Sequence, residues 1–181
     1  RQAVISEREL AEGRLAASDR VAIAFADLVD FTLLGERLEI DAIGRLTGRL
    51  FELASDAARP PVRLVKMIGD AAMFASPEPA PLLEAVTGLV EADGDEEMPS
   101  LRAGTALGEG LARGGDWYGR PVNLAARITS FARPDTVVVD AQLKSALEDD
   151  PRFEFSFVGK HHFKGMKGEI PVHRARRRQP G

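Results

Sequence analysis

The sequence predicts a layered α/β or α+β domain, a mostly antiparallel sheet with helices on its outer faces. Three observations lead there. The run Val21 to Leu28 is almost continuously apolar, as a buried central strand must be. Downstream, apolar residues at three- and four-residue steps mark amphipathic helices, and these interleave with short strand-like runs. Turn-forming residues punctuate the boundaries, at Pro60-Pro61, Gly69-Asp70 and Gly114-Gly115.

The elements follow in order. Residues 1–19 read as a charged, helix-prone linker, with Glu7, Arg8, Glu9, Glu12 and Arg14 around a thin apolar set. After the strand Val21–Leu28, residues 40–58 place Ile43, Leu46, Leu50, Leu53 and Ala57 on one helical face, and Pro60-Pro61 stops the helix. Residues 62–67 and 71–75 read as two strands joined by a hairpin turn at Ile68-Gly69-Asp70. Pro81 opens a second helix with Leu82, Val86, Leu89 and Val90 on one face. The acidic stretch 93–97 lacks the regular ligand spacing of a calcium loop and reads as a solvated loop. Leu101 to Leu111 predicts a strand pair, followed by a loop at Gly114, Gly115 and Gly119. A short helix over 121–131, a strand over 136–139, a helix over 141–147 and strands over 153–158 and 170–174 complete the chain, the last two around a Lys-Gly turn.

Composition narrows the function classes. The chain is 44% apolar and 29% charged, as a packed globular domain is, with a net charge of −4. That acidic balance opposes nucleic-acid binding. There are no cysteines, which removes disulfides, thiolate metal sites and cysteine nucleophiles together. No apolar run approaches the ~20 residues that cross a bilayer, and no signal peptide is visible, so a cytoplasmic domain is expected. The first residue is Arg1 rather than Met, which predicts a piece of a longer protein.

The candidate chemistry sits at strand ends and turns. Asp27 ends the first strand and Asp70 sits at the hairpin tip, where carboxylates hold hard cations together with phosphates. Each alone has an ordinary explanation in turn or capping chemistry, but adjacent strands would make the two converge. No Walker loop occurs, so a triphosphate would need another device. Backbone N–H groups at Phe31-Thr32 offer one, and the turn Lys164-Gly165-Met166-Lys167-Gly168 another, although the same lysines also suit a plain exposed hairpin. Asn123 and Arg127, four residues apart, share a helical face and suit a sugar oxygen and a phosphoryl oxygen, or simply a solvated helix surface. His161, His162 and His173 read as surface or packing residues.

Five segments occur together in order: F-A-D-L-V-D-F-T (25–32), V-K-M-I-G-D-A-A-M (65–73), R-A-G-T-A-L-G-E-G (102–110), D-W-Y-G-R-P-V-N-L-A-A-R (116–127) and F-K-G-M-K-G (163–168). Over residues 20–175 this resembles the class III adenylyl and guanylyl cyclase catalytic domain. It is closest to mycobacterial adenylyl cyclases with an N-terminal regulatory module. The resemblance implies a ferredoxin-like α+β fold; residues 176–181, beyond it, read as a basic tail. It implies conversion of ATP to cyclic AMP and pyrophosphate in a homodimer whose two sites are shared between chains. It further implies two Mg²⁺ or Mn²⁺ ions on Asp27 and Asp70, and terminal phosphates cradled by the backbone at Phe31 and Thr32. By the same resemblance Lys66 and Asp116 read adenine, Asn123 holds the ribose and Arg127 the α-phosphoryl group. Lys164 and Arg102 contact the other phosphates. Ala126 stands where Ser is commoner, with Asn and Arg intact on either side.

Hydrogen-bond polarity agrees with adenine, which offers an amino donor to Asp116 and a ring-nitrogen acceptor to Lys66. Guanine would set donor against donor and acceptor against acceptor, so a guanylyl or relaxed-specificity cyclase is the weaker reading. Changing Lys66 to Glu and Asp116 to Gly would remove that match, with Ala72→Tyr expected to help pack the altered base. A catalytically silent nucleotide-binding dimerisation module would be expected to have lost some of the six residues for metal, base and transition state. An RNA-binding ferredoxin-like domain would want aromatics on a basic sheet face, and the chain has one Trp and one Tyr.

Overall fold

The computed structural model describes residues 18–30, 35–36, 39–92 and 98–180. The expected linker up to residue 17, Phe31 and Thr32, and the acidic loop 93–97 lie outside these residues. Among the described residues the chain runs β1 (Ser18–Leu28), α1 (Ile40–Ala57), β2 (Arg63–Ile68), β3 (Ala71–Ser76), α2 (Pro79–Glu91), β4 (Leu101–Arg113), β5 (Asp116–Tyr118), α3 (Arg120–Phe131), β6 (Val137–Asp140), α4 (Ala141–Leu147), β7 (Phe153–His161) and β8 (Ile170–Arg177).

These strands form one sheet in the order β2-β3-β1-β4-β6-β8-β7, with β5 paired to the end of β4. The pairings are antiparallel apart from β4 with β6. The first six elements make a β-α-β-β-α-β unit whose strands lie β2-β3-β1-β4, so the expected ferredoxin-like α+β core is present.

Strand alternation splits the core into two layers. Ala22, Ala24, Ala26 and Leu28 of β1 pack with Leu50 and Ala54 of α1, Leu82 and Val86 of α2, and Leu143 and Leu147 of α4. Val21, Ile23 and Phe25 face the other way, onto Leu124, Ala125 and Ile128 of α3. Asp27 continues this second row, which puts it on the α3 side. α4 opens on Asp140, whose Oδ1 accepts from the N–H groups of Leu143 at 2.9 Å and Leu107 at 3.3 Å. Asp140 is only 2% exposed, and burial raises its pKa to about 6.

The structure departs from expectation most at β4. A strand pair was expected over Leu101 to Leu111, a stretch that holds Gly104, Gly108 and Gly110. They lie inside one 13-residue strand instead. Their role is close approach rather than turning. A Cβ on Gly104 would lie 2.3 Å from the Thr129 nitrogen and 2.7 Å from the Ala125 oxygen of α3. The predicted loop after β4 is a tight hairpin through Gly114 (φ +59°) and Gly115 (φ +80°) into β5. β1 begins three residues earlier than expected, at Ser18, and β8 runs to Arg177, two residues into the expected basic tail.

Gly104→Ala should therefore force α3 off the sheet and lower unfolding stability by about 2 kcal/mol. Denaturant melts check this, and an unchanged midpoint would mean that α3 shifts freely.

Candidate active site

The adjacency of β1 and β3 delivers the first convergence. Asp27 pairs with Ala71, the residue after Asp70, and the Leu28 N–H donates to the Asp70 carbonyl at 3.2 Å. Gly69, at φ +59°, supplies the left-handed turn that returns the chain into β3. On the other side Asp27 pairs with Arg102 of β4, whose Nε donates to Asp27 Oδ1 at 2.8 Å. Arg102 Nη1 also donates to the carbonyls of Ser130 at 3.1 Å and Ala132 at 3.4 Å, around the end of α3.

Burial pushes the Asp27 carboxyl above its ordinary range; the hydrogen bond and charge of Arg102 pull it down, and the Asp70 charge pushes it up again. Two carboxylates set close together at neighbouring strand ends are a donor set for a hard divalent cation. Among the described residues no cluster of three or more His, Cys, Asp or Glu is present, so further ligands would be backbone or substrate oxygens. Mg²⁺ or Mn²⁺ fits that set.

The second group forms across β2 and β5. Lys66 Nζ donates to Asp116 Oδ2 at 2.6 Å, and the Trp117 N–H donates to Asp116 Oδ1 at 2.8 Å. The Lys66 hydrogen bond is the largest reason that the Asp116 carboxyl is held below its ordinary range, and the charge of Arg63 adds to it. Lysine keeps spare donors and the carboxylate spare lone pairs, so the pair can still take a ligand with one acceptor and one donor.

The third group stands on α3. Its buried face is Leu124, Ala125, Ile128 and Thr129, which leaves Asn123 and Arg127 exposed together on the opposite side. Neither side chain has a hydrogen-bond or ion-pair partner among the described residues. Nearby, the lysine turn is firmer than a plain exposed hairpin. Phe163 is buried and Met166 partly so against the α3-side core, and the Met166 N–H closes the turn on the Phe163 carbonyl at 3.0 Å. Lys164 and Lys167 remain exposed. The His161 ring lies 4.2 Å from that of Phe131 at the end of α3, a packing contact, and the exposed His162 places Nδ1 3.2 Å from the Gly168 carbonyl.

The structure thus brings Asp27, Asp70 and Arg102 together, and Lys66 with Asp116. It leaves Asn123 and Arg127 facing outward and Lys164 on its own turn. Phe31 and Thr32 lie outside the described residues. Sequence reasoning missed Arg63, whose Nη2 donates to the Gly115 carbonyl at 2.7 Å. A bond to a backbone oxygen 52 positions away leaves no pattern of residue types to read.

Comparison with known proteins bears on what these groups belong to. Residues 100–174 match the sequence profile of the adenylate and guanylate cyclase catalytic domain. The chain is 46% identical over 178 residues to a pH-sensitive adenylate cyclase of Mycobacterium tuberculosis, covering 96% of this chain and 45% of that protein. It is 42% identical over 130 residues to an adenylate cyclase of Streptomyces griseus, covering 71% of this chain and 33% of that protein. It therefore spans less than half the length of these relatives. The guanylate cyclase domain of RhGC from Catenaria anguillulae, solved in complex with GTP, shares the fold with a TM-score of 0.77 at 19% identity, over 90% of this chain and 98% of that one. Profile, relatives and fold agree, and the chain belongs to the adenylate and guanylate cyclase catalytic domain family.

Proposed function

We propose that this domain is an adenylyl cyclase that converts ATP to 3′,5′-cyclic AMP and pyrophosphate, working as a homodimer. The observation that carries the reading is the Lys66–Asp116 pair, a donor and an acceptor held 2.6 Å apart with the polarity that adenine requires. The two curated relatives above, both adenylate cyclases, support the same choice.

Each residue then has a task. Lys66 donates to a ring nitrogen of adenine, and Asp116 accepts from its amino group. Asn123 holds the ribose so that the 3′-hydroxyl lies in line with the α-phosphorus. Arg127 lies against the α-phosphoryl oxygens, where charge grows as pyrophosphate leaves; arginines so placed contribute on the order of 10³-fold or more. Lys164 and Arg102 hold the terminal phosphates. Two Mg²⁺ or Mn²⁺ ions on Asp27 and Asp70 would supply the acidity that lets the 3′-hydroxyl lose its proton without a side-chain base. Arg102, now on Asp27, is a natural cation to hand over to the phosphates as that carboxylate gains another partner.

The grouping within one chain supports sharing of each site between two chains. Asn123 and Arg127 face away from the sheet that carries Asp27 and Asp70, so a second copy can meet them on the open side of α3. Asp27 and Asp70 would come from one protomer, and Lys66, Asp116, Asn123 and Arg127 from the other. The remainder of a longer protein, upstream, would hold the regulatory module, and the domain itself would work in the cytoplasm. No helix among the described residues is long and apolar enough to cross a membrane.

Asp27→Ala and Asp70→Ala should each abolish cyclic AMP formation while leaving thermal unfolding nearly unchanged; near-normal turnover at saturating Mg²⁺ would sink the metal assignment. Lys66→Glu with Asp116→Gly should lose ATP activity, measured by product identification with ATP and with GTP. An unchanged ATP rate would mean that the pair does not read the base. Ala72→Tyr would not help pack the altered base as expected, because Ala72 is 0% exposed in the core under α1 and α2, where a phenol ring cannot fit. Mixing inactive Asp27→Ala and Arg127→Ala chains should restore roughly a quarter of wild-type activity, since half the dimers are mixed and each regains one site of two. A mixture that stays inactive despite demonstrated subunit exchange would place the site within one chain.

A further inference from the structure

We infer that Arg63 is a positioning residue for base selection: it fastens the β4–β5 turn to β2 and so fixes Asp116 opposite Lys66. The inference rests on the adenine reading of that pair. Arg63 opens β2, three positions before Lys66, and both reach toward the same hairpin. The guanidinium Nη2 donates to the Gly115 carbonyl at 2.7 Å, and Gly115 immediately precedes Asp116.

The hairpin has little else to hold its tip. Its ladder is three pairs long, Leu111 with Tyr118, Ala112 with Trp117 and Arg113 with Asp116. Its turn consists of two glycines at positive φ, and a Cβ on Gly114 would meet nothing within 4 Å. Glycine is the residue with most conformational freedom to lose on ordering, so such a turn is soft unless something outside it is bonded to it. Trp117 packs against the α3-side core and anchors the strand, but the anchor lies beyond Asp116. Arg63 supplies the bond on the other side, so Asp116 sits between two fixed points.

The Arg63 charge also acts on Asp116, beside the Lys66 hydrogen bond that is the largest reason its carboxyl lies below the ordinary range. Arg63 thus bears on where Asp116 is held opposite Lys66, and its part in base selection is positional.

Trp117 is the sole tryptophan of the chain and follows Asp116 directly, so it reports on the hairpin without any need for turnover. In Arg63→Ala, Trp117 emission should move to longer wavelength and become more open to acrylamide quenching, with the melting temperature unchanged. kcat/KM for ATP should fall about fivefold through KM, as loss of one charge-assisted surface hydrogen bond predicts, and the preference for ATP over GTP should narrow. Arg63→Lys, which keeps the charge and a donor, should recover part of both. In an Asp116→Ala background, Arg63→Ala should have no further effect on ATP binding. Unchanged Trp117 emission and quenching in Arg63→Ala would overturn the fastening. Altered fluorescence with an unaltered ATP-to-GTP ratio would overturn the role in selection. A wild-type domain that makes no cyclic AMP would instead overturn the adenylyl cyclase reading, leaving the fluorescence to decide the fastening.

Discussion

The contact between α3 and β4 is the constraint on which the rest of this domain depends. Gly104 leaves no room for a Cβ between the strand and the Thr129 and Ala125 backbone, so the helix lies tight against the sheet at this point. That closeness fixes which side of α3 is covered by Leu124, Ala125 and Ile128, and therefore which side presents Asn123 and Arg127. It brings the carbonyls around the helix end within reach of Arg102, and through Arg102 it fixes Asp27. One missing methyl group thus bears on Asn123 and Arg127 and, through Arg102, on Asp27.

The charges in these clusters are held by one another. Asp27 is bonded to Arg102, Asp116 to Lys66, and Arg63 leans on the carbonyl beside Asp116. Ion pairs open to solvent, as Lys66–Asp116 is, stabilise a fold by little, because water screens them and their side chains lose freedom. Their value lies in geometry. A carboxylate already ordered by one partner has less entropy to lose on meeting the next, which is the advantage of preorganisation.

Much of this was legible in the residues. Strand ends and turns were readable because their signals are local: an apolar run ending in Asp27, a Gly-Asp turn, and a proline at the start of α3. The convergence of Asp27 with Asp70 followed from the expectation that strands near in sequence lie side by side, and β1 and β3 do. The failures share a cause as well. A glycine inside a strand looks the same in sequence whether it turns the chain or admits a neighbour, so the length of β4 was misread. The lysine turn looked free because Phe163 and Met166 reveal themselves as anchors only once α3 is beside them. Arg63 was invisible because its partner is a carbonyl, which every residue possesses. Long-range contacts to backbone are where a sequence pattern has least to offer.

Asp140 carries a consequence of a different kind. Its carboxyl is sealed beneath α4, where desolvation lifts the pKa from 3.8 to about 6 against the pull of the Leu143 and Leu107 amides and the Arg120 charge. An unfolded chain releases this proton near pH 4, whereas the folded chain keeps it until near pH 6. Between those values the native state binds the extra proton, so this one side chain favours folding more as the solution becomes more acidic. Most carboxylates of an acidic protein pull the other way, because pairing lowers their pKa. The domain therefore holds, at the joint between β4 and α4, an internal proton store that offsets part of the ordinary acid sensitivity of its surface.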